Sequence, residues 1–286
     1  MDEMAWESAD DASSLGTWSR RRLSPPLVGI VGVSRHAPSS GPARLRRLST
    51  LDRYVRLIND ATLLRAVALE LAGTPPVVAT QLSGQLSSLS AAFVIGLDAP
   101  DAAEVSDQVA QAGGPLIVSF TDAVTTVHAA AVLAALEPLV VVHRARVALA
   151  DASACPLLGP ILVGSGVPEL TFWHTRDASA YPYRRLCAEH DVVINPDPSA
   201  SLLEFGDVKL RLPDPSDLAA FVVPGLFGAL CGHGIAVSGV EHFVAAARGI
   251  AAVTPMWETL PGADKPLLSI GAIARHVDAA VNRPHR

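Results

Sequence analysis

The stretch from Ala91 to Leu136, AAFVIGLDAPDAAEVSDQVAQAGGPLIVSFTDAVTTVHAAAVLAAL, decides the fold class of this chain. It opens with the apolar run AAFVIGLD (91–98) and continues into Asp-Ala-Pro-Asp, which is typical of a buried strand followed by the start of a helix. The amphipathic segment 102–112 predicts that helix. Gly113-Gly114 predicts its end, because glycine tolerates the left-handed backbone that closes many helices.

The alternation of strand and helix continues along the rest of the chain. Further strands are predicted at 115–120, 138–147, 169–175 and 190–198, and further helices at 124–139, 155–166, 241–253 and 270–282. Strands that alternate with helices indicate a mainly parallel sheet with helices on both faces. The predicted class is therefore α/β, with a Rossmann-like sheet and a small N-terminal region of helix and strand.

The N-terminal third is less regular, and it sets the predicted domain boundaries. Apolar spacing over 51–71 predicts one or two helices, VVAT (77–80) predicts a strand, and 83–90 reads as a serine-rich loop. We predict a flexible arm over residues 1–50, in which LVGIVGV could form one short strand. A smaller α/β domain over 51–137 and a Rossmann-like domain over 138–286 follow.

Composition excludes several classes of function. Of 286 residues, 50% are hydrophobic and 17% charged, which suits a compact globular protein. The net charge of −6 gives no basic surface for nucleic acid or an anionic membrane. Three dispersed cysteines fit neither a disulfide framework nor a zinc site, so we expect a cytoplasmic protein. The apolar run 218–240 contains Pro224 and several glycines, and we predict that it is core rather than a membrane span.

Several segments occur in the order expected of the malic enzymes. AAFVIGLD resembles their Asp-Ala-Phe strand and FTDAVTTV their Phe-His/Asn-Asp-Asp segment. VVINPDPSA is similar to their Ala-Asn-Pro-Thr-Pro-Glu strand end and FVVPGLFGAL to their Phe-Pro-Gly-Ile-Phe-Arg-Gly-Ala-Leu segment. These matches span Ala91 to Val253. The resemblance implies the dinucleotide-binding half of such an enzyme, with a divalent metal held by carboxylates and a lysine base.

The functional positions depart from that pattern. The double aspartate becomes Asp122-Ala123, the Glu-Asp pair expected after Gly113-Gly114 is missing, and QLSGQLSSLS (81–90) offers no lysine. After the predicted strand at 138–147 no glycine occurs before Gly159, although a dinucleotide loop needs glycines for close backbone approach to the pyrophosphate. We therefore predict neither a metal nor a dinucleotide cofactor.

Polar residues follow three of the predicted strands, where a parallel sheet binds its ligands. They suggest His143 and His174 as catalytic residues, and as substrate-binding residues Arg144, Arg146, Arg176, Asn195 and Asp197. Histidine can act as acid or base near neutral pH, and arginine can hold a carboxylate or phosphate. Basic residues after the second strand, such as Arg176, also suit the 2′-phosphate of NADP, and HTR weakly resembles a His-Ser-Arg of methylenetetrahydrofolate dehydrogenases. Solvated loop residues are the alternative interpretation.

Three functional hypotheses remain open at this point. The first is a malic-enzyme-like scaffold repurposed for cofactor-independent decarboxylation, elimination or isomerisation of a small carboxylate. The second is a non-catalytic binding protein, such as a partner of a biosynthetic enzyme, and the third is an NAD(P)-dependent oxidoreductase. The expected ligand is a small carboxylate or phosphate-bearing metabolite, and the expected assembly is a homodimer.

Overall fold

The computed structural model describes residues 25–35, 42–138, 142–197, 202–206, 208–256, 258–262 and 266–282. The strands in this part of the chain are β1 (Leu27–Ser34), β2 (Arg65–Ala72), β3 (Ala91–Ile95), β4 (Leu116–Ser119), β5 (Arg146–Ala150), β6 (Glu169–Trp173), β7 (Val192–Asn195), β8 (Leu202–Phe205) and β9 (Val208–Arg211). The helices are α1 (Pro42–Ala61), α2 (Pro75–Ser83), α3 (Ala99–Gln111), α4 (Phe120–Leu136), α5 (Leu158–Gly164), α6 (Tyr183–Glu189), α7 (Pro215–His233), α8 (Val240–Ala251) and α9 (Pro266–Val281).

The strands form two sheets. The first has the order β2-β1-β3-β4, and all its strands are parallel. The second has the order β6-β5-β7-β8-β9, in which β5, β6 and β7 are parallel and the β8–β9 hairpin is antiparallel. The prediction of an α/β fold with a mainly parallel, Rossmann-like sheet is confirmed.

The core explains why apolar segments alternate with amphipathic helices. One large cluster of buried side chains joins one face of both sheets through α4 and α7, whose apolar residues are buried almost all round. The opposite face of the first sheet packs on α2 and α3, and that of the second packs on α6. Helices thus pack on both faces of each sheet, which buries β1, β3, β4, β5 and β7 and accounts for their continuous apolar sequence, whereas the edge strands β2 and β6 stay partly exposed.

The described residues of the range 1–50 do not form a loosely docked arm. LVGIVGV is a strand, as predicted, but β1 lies between β2 and β3 in the first sheet, and its core side chains are buried. Residues 42–50 begin α1. The boundary predicted at residue 50 therefore falls inside a helix, whereas the division near residue 137 stays a prediction. Residues 1–24 and 36–41 lie outside the described residues.

Three local predictions were wrong at least in part. Of the one or two helices predicted over 51–71, the first half lies in α1, but Arg65–Ala72 form the strand β2, which pairs in parallel with β1. VVAT lies in α2, where Pro75 and Pro76 occupy the first turn, a position that proline favours. The predicted strand at 138–147 is displaced: β5 starts only at Arg146, and Val142–Arg144 form a short 3-10 turn.

The longest apolar run lies in the core, as predicted. α7 is long and apolar enough to cross a bilayer by length and composition, and 56% of its most apolar window is buried inside the protein. It packs against α4, α9 and α1. Pro224 lies within the helix and is buried there.

Candidate functional site

The loop after β5 occupies the position of a dinucleotide loop, because β5 lies between the parallel strands β6 and β7 of the second sheet. Asp151 opens this loop in the left-handed conformation, with φ 49° and ψ 39°. Its amide donates to the Trp173 carbonyl at 2.9 Å. Its carboxylate accepts hydrogen bonds from the Thr175 amide at 2.9 Å and the Thr175 hydroxyl at 2.5 Å. The Asp151 side chain thus links the carboxyl ends of β5 and β6.

The backbone donors of the same loop are reduced in number. Residues 151–158 contain no glycine, and the helix that follows, α5, is only seven residues long. Pro156 precedes α5 and Pro160 lies in its first turn, so neither position offers an N–H group. A helix N-terminus binds phosphate through such groups, and here two of them are missing.

The carboxyl edge of the second sheet is acidic. Asp151 follows β5, Asp177 follows β6, and Asp197 follows β7. Arg176, beside Asp177, is 81% exposed, and its Nε lies 3.9 Å from Asp177 Oδ1. His174 Nδ1 lies 3.9 Å from Asp151 Oδ1. This edge therefore has an excess of carboxylates, which disfavours an approaching polyanion.

The structure brings some of the predicted site residues together and separates others. His174, Arg176, Asn195 and Asp197 follow β6 and β7, on either side of β5 and at the same edge. Asn195 Oδ1 accepts from the Asp197 amide at 3.0 Å and so shapes the turn after β7.

His143, Arg144 and Arg146 lie at the opposite edge. His143 and Arg144 precede β5 and Arg146 is its first residue, so none of the three follows the strand. A five-residue strand separates them from Asp151 by roughly 15 Å. His143 and Arg144 are exposed, and the Arg146 amide donates to Asp191 Oδ2 at 2.8 Å. The expectation that all seven residues line one strand edge is therefore wrong, because it rested on a strand placed several residues too early.

Asp122, the surviving half of the double aspartate, caps a helix. Its carboxylate accepts from the Ser119 amide at 3.2 Å, while its own amide donates to Ser119 Oγ at 3.0 Å. Burial raises the pKa of the Asp122 carboxyl. Ala123 beside it is fully buried. Among the described residues, no group of three or more His, Cys, Asp or Glu side chains is arranged to hold a metal ion.

A thiol and an imidazole meet beneath the loop after β5. Cys155 Sγ lies 3.9 Å from His128 Nδ1, and both side chains are buried. Burial lowers the pKa of His128 to about 4 and raises the pKa of Cys155, although the neighbouring Thr125 hydroxyl acts in the opposite direction on the thiol. Near neutral pH the pair is thus a neutral thiol beside a neutral imidazole. A nucleophilic cysteine needs the thiolate, so this pair is not activated.

A cavity of about 690 Å³ opens beside the β8–β9 hairpin, where Arg211 pairs with Leu202 and Leu202 pairs with Asn195. It lies between α1, β9, the first turns of α7 and residues 258–261. Its lining comprises Arg53, Leu57, Leu210, Arg211, Pro213, Asp217, Ala220, Phe221, Glu258, Thr259, Leu260 and Pro261. Cavities of this size hold small molecules in many proteins.

The two sheets and their covering helices define a Rossmann-type α/β protein. Solved structures show in addition that the fold is malic-enzyme-like. The malic enzyme from Pyrococcus horikoshii superposes with a TM-score of 0.66 at 15% identity, over 89% of this chain and 76% of that one. The NAD-dependent malic enzyme from Thermotoga maritima gives 0.65 at 12%, over 87% and 84%. The Entamoeba histolytica malic enzyme gives 0.65 at 14%, over 88% and 69%. No protein-family model and no curated protein matches the sequence.

Substitutions at Asp151 test whether its side chain holds the two strand ends together. We expect Asp151→Ala to lower the free energy of unfolding by about 2 kcal/mol, because two hydrogen bonds are lost and alanine tolerates the left-handed backbone poorly. Asp151→Asn keeps the shape and that tolerance, so we expect a loss of about 1 kcal/mol or less. Urea denaturation of both variants measures the difference, and equal losses would contradict the role assigned to Asp151.

Sequence reasoning missed Asp151, the Cys155–His128 contact and the cavity. Asp151 was missed because the strand before it was placed too early. The other two depend on contacts between segments far apart in the chain, and no local pattern signals them. The one signal that could have marked Asp151 is that it is a polar residue directly after the apolar run VALA (147–150).

Proposed function

We propose that this chain is a malic-enzyme-like binding protein for a small carboxylate, and that it does not oxidise malate with a dinucleotide and a metal. The fold supports a small-metabolite-binding protein of this kind. The loss of oxidoreductase function is an inference from the residues that stand where the cofactor and the metal would have to be held.

The observation that carries the proposal is the position of Asp151. In a dinucleotide fold this corner needs glycine, so that the pyrophosphate can approach the backbone. Here it carries a carboxylate that is already hydrogen-bonded to Thr175. A bound pyrophosphate would meet this negative charge, and Pro156 and Pro160 could not donate to it. The residues present therefore do not fit a dinucleotide.

The double aspartate that would help to hold a divalent cation is also incomplete, since Asp122 is followed by Ala123. Asp122 is engaged as a helix cap, and the neighbouring position is the buried Ala123. A hard cation needs several oxygen ligands, and one capping carboxylate does not supply them. The residues present therefore do not fit the metal.

The position of His143 favours binding over repurposed catalysis. The catalytic hypothesis assigned the proton transfer to His143 or His174, with arginines anchoring the substrate. β5 separates His143, Arg144 and Arg146 from His174 by roughly 15 Å. General acid–base catalysis needs the histidine within hydrogen-bonding reach of the reacting atoms while the substrate is held in place. Without such a pair, the polar strand ends are better suited to holding a ligand or a partner than to converting one.

Assembly and location belong to the same proposal. We propose a cytoplasmic homodimer. Support for a dimer comes from β6, an edge strand of the second sheet, where Phe172 is 62% exposed, and from Val163 on the adjoining α5, which is 59% exposed. An uncovered apolar edge strand is a typical pairing surface.

Calorimetry with NAD⁺, NADP⁺ and Mn²⁺, each with and without malate, tests the proposal. We expect no binding tighter than about 1 mM for any of them, because the phosphate and metal ligands are replaced. Nicotinamide reduction with malate and Mn²⁺ is measured on the same protein and should be absent. Tight NADP⁺ binding that Arg176→Ala abolishes would contradict the proposal and favour an oxidoreductase.

A further inference from the structure

We infer that the cavity between α1, β9 and α7 binds an amphipathic monocarboxylate, with its acid group on Arg211 and its apolar body in the cavity. The inference rests on the proposed function and deepens it, since it places the ligand and names its chemical class. The cavity adjoins the carboxyl edge of the second sheet, since Arg211 pairs with Leu202 and Leu202 pairs with Asn195, but none of the residues Asp151, His174, Asn195 and Asp197 lines it.

The walls of the cavity are mainly apolar. Leu57 comes from α1, Leu210 from β9, and Phe221 from α7. Leu260 and Ala220 complete this surface. A ligand that buries a hydrocarbon or aromatic body here is removed from water, which favours binding in proportion to the apolar area covered.

Four charged side chains line the cavity, and two of them form an ion pair with each other. Arg53 Nη2 lies 2.6 Å from Asp217 Oδ1, so these two charges satisfy each other. Arg211 and Glu258 make no ion pair or side-chain hydrogen bond within the part of the chain that the structure describes. An arginine without a partner at an apolar cavity is suited to hold a carboxylate through two parallel hydrogen bonds.

The same charges select against a dianion. The lining contains two arginines and two carboxylates, so its net charge is zero before a ligand binds. Arg211 can neutralise one carboxylate. A second one would remain uncompensated near Glu258 and Asp217, where like charges repel. The expected ligand is therefore a monocarboxylate, in contrast to malate, which carries two carboxylates.

The frame of the cavity is held in place by contacts outside it. Tyr54 on α1 is fully buried, and its hydroxyl donates to the Ser216 carbonyl at the start of α7 at 2.7 Å. Arg211 ends β9, and its position is paired with Leu202 of β8. Of the four segments that bound the cavity, α1 and α7 are thus fixed relative to each other, so the cavity exists without a ligand, as small-molecule sites usually do.

The test uses octanoate, octanedioate and 1-octanol as probes, with calorimetry on the full chain. We expect octanoate to bind at least tenfold more tightly than octanedioate, and Arg211→Met to weaken octanoate by tenfold or more. The affinity of 1-octanol should change less than twofold in this variant, because the apolar walls are intact. Arg65→Met serves as the matched control, since Arg65 is an exposed arginine at the start of β2.

A second variant tests whether binding depends on the space in the cavity, independently of the charge on Arg211. Ala220→Phe fills the cavity from α7 and should abolish binding of both octanoate and 1-octanol, with an unfolding midpoint in urea no lower than that of the wild type. The inference is overturned if octanoate does not bind, if octanedioate binds equally well, or if Arg65→Met weakens octanoate as much as Arg211→Met. Malate-dependent NAD⁺ reduction in the same samples would instead overturn the proposed function, so the two failures are distinguishable.

Discussion

Replacing Phe93 by alanine should lower the free energy of unfolding by about 3–5 kcal/mol, the largest loss expected from any single substitution considered for this chain. Phe93 lies on β3 and is fully buried. Its ring packs edge-on against Tyr54 of α1 at 5.1 Å and against Phe227 of α7 at 6.4 Å between centroids. Truncation leaves a void between the first sheet and two helices, and close-packed neighbours refill such a void only partly.

Urea denaturation measures this loss, with Phe172→Ala as the matched control. Phe172 is the same residue type on a strand of the second sheet, but it is 62% exposed. We expect Phe172→Ala to cost well under about 1 kcal/mol, because little apolar area returns to water. Similar losses in the two variants would show that the aromatic contacts of Phe93 do not hold the sheet to α1 and α7.

Acidification should destabilise the protein by about 3 kcal/mol between pH 7 and pH 4 through His128 alone. Burial lowers the pKa of His128 to about 4 in the folded state, from an ordinary value of 6.5. The unfolded chain therefore binds a proton in this window that the folded protein does not. Since the unfolded state binds more protons, the free energy of unfolding falls as the pH falls from 6.5 to 4.

The control for this prediction is His128→Leu, measured by urea denaturation at both pH values. The stability difference between this variant and the wild type should change by about 3 kcal/mol from pH 7 to pH 4. Cys155 Sγ lies 3.9 Å from His128 Nδ1, and burial raises the pKa of Cys155 and of Asp122, which lies on the same helix as His128. Asp122 acts with the opposite sign, since a raised carboxyl pKa stabilises the fold on acidification, but it is present in both proteins. A constant difference would show that His128 is accessible to protons in the folded state.

Much of the architecture could be predicted from local sequence. The strand AAFVIGLD, the helix ending at Gly113-Gly114 and the long α4 follow from apolar runs, a helix-start signal and glycine punctuation. The order of these segments also pointed to the malic enzymes, and the solved structures share the fold. Strands and helices of this kind are specified by neighbours within a few residues, which is why the pattern was sufficient.

Segments with an ambiguous pattern could not be assigned in this way. VVVHRARV and RVALA are both apolar enough for a strand, and which of them pairs with β6 and β7 depends on the sheet. The sequence allowed LVGIVGV to form one short strand in an arm, but its central position in the first sheet depends on β2 and β3, which follow it in sequence. Register and strand order are properties of pairing between distant segments, and local spacing does not contain them.

For the candidate site as well, some features could be predicted from the sequence and others depended on the tertiary structure. The sequence by itself determined what is missing: no lysine before β3, no second aspartate after Asp122, and no glycine in the loop after β5. Only the tertiary structure decided which side chains meet: Asp151 with Thr175, Cys155 with His128, and Arg211 with the apolar walls of its cavity. The physical reason is that chemical identity is fixed residue by residue, whereas proximity depends on how buried strands and helices pack across the whole chain.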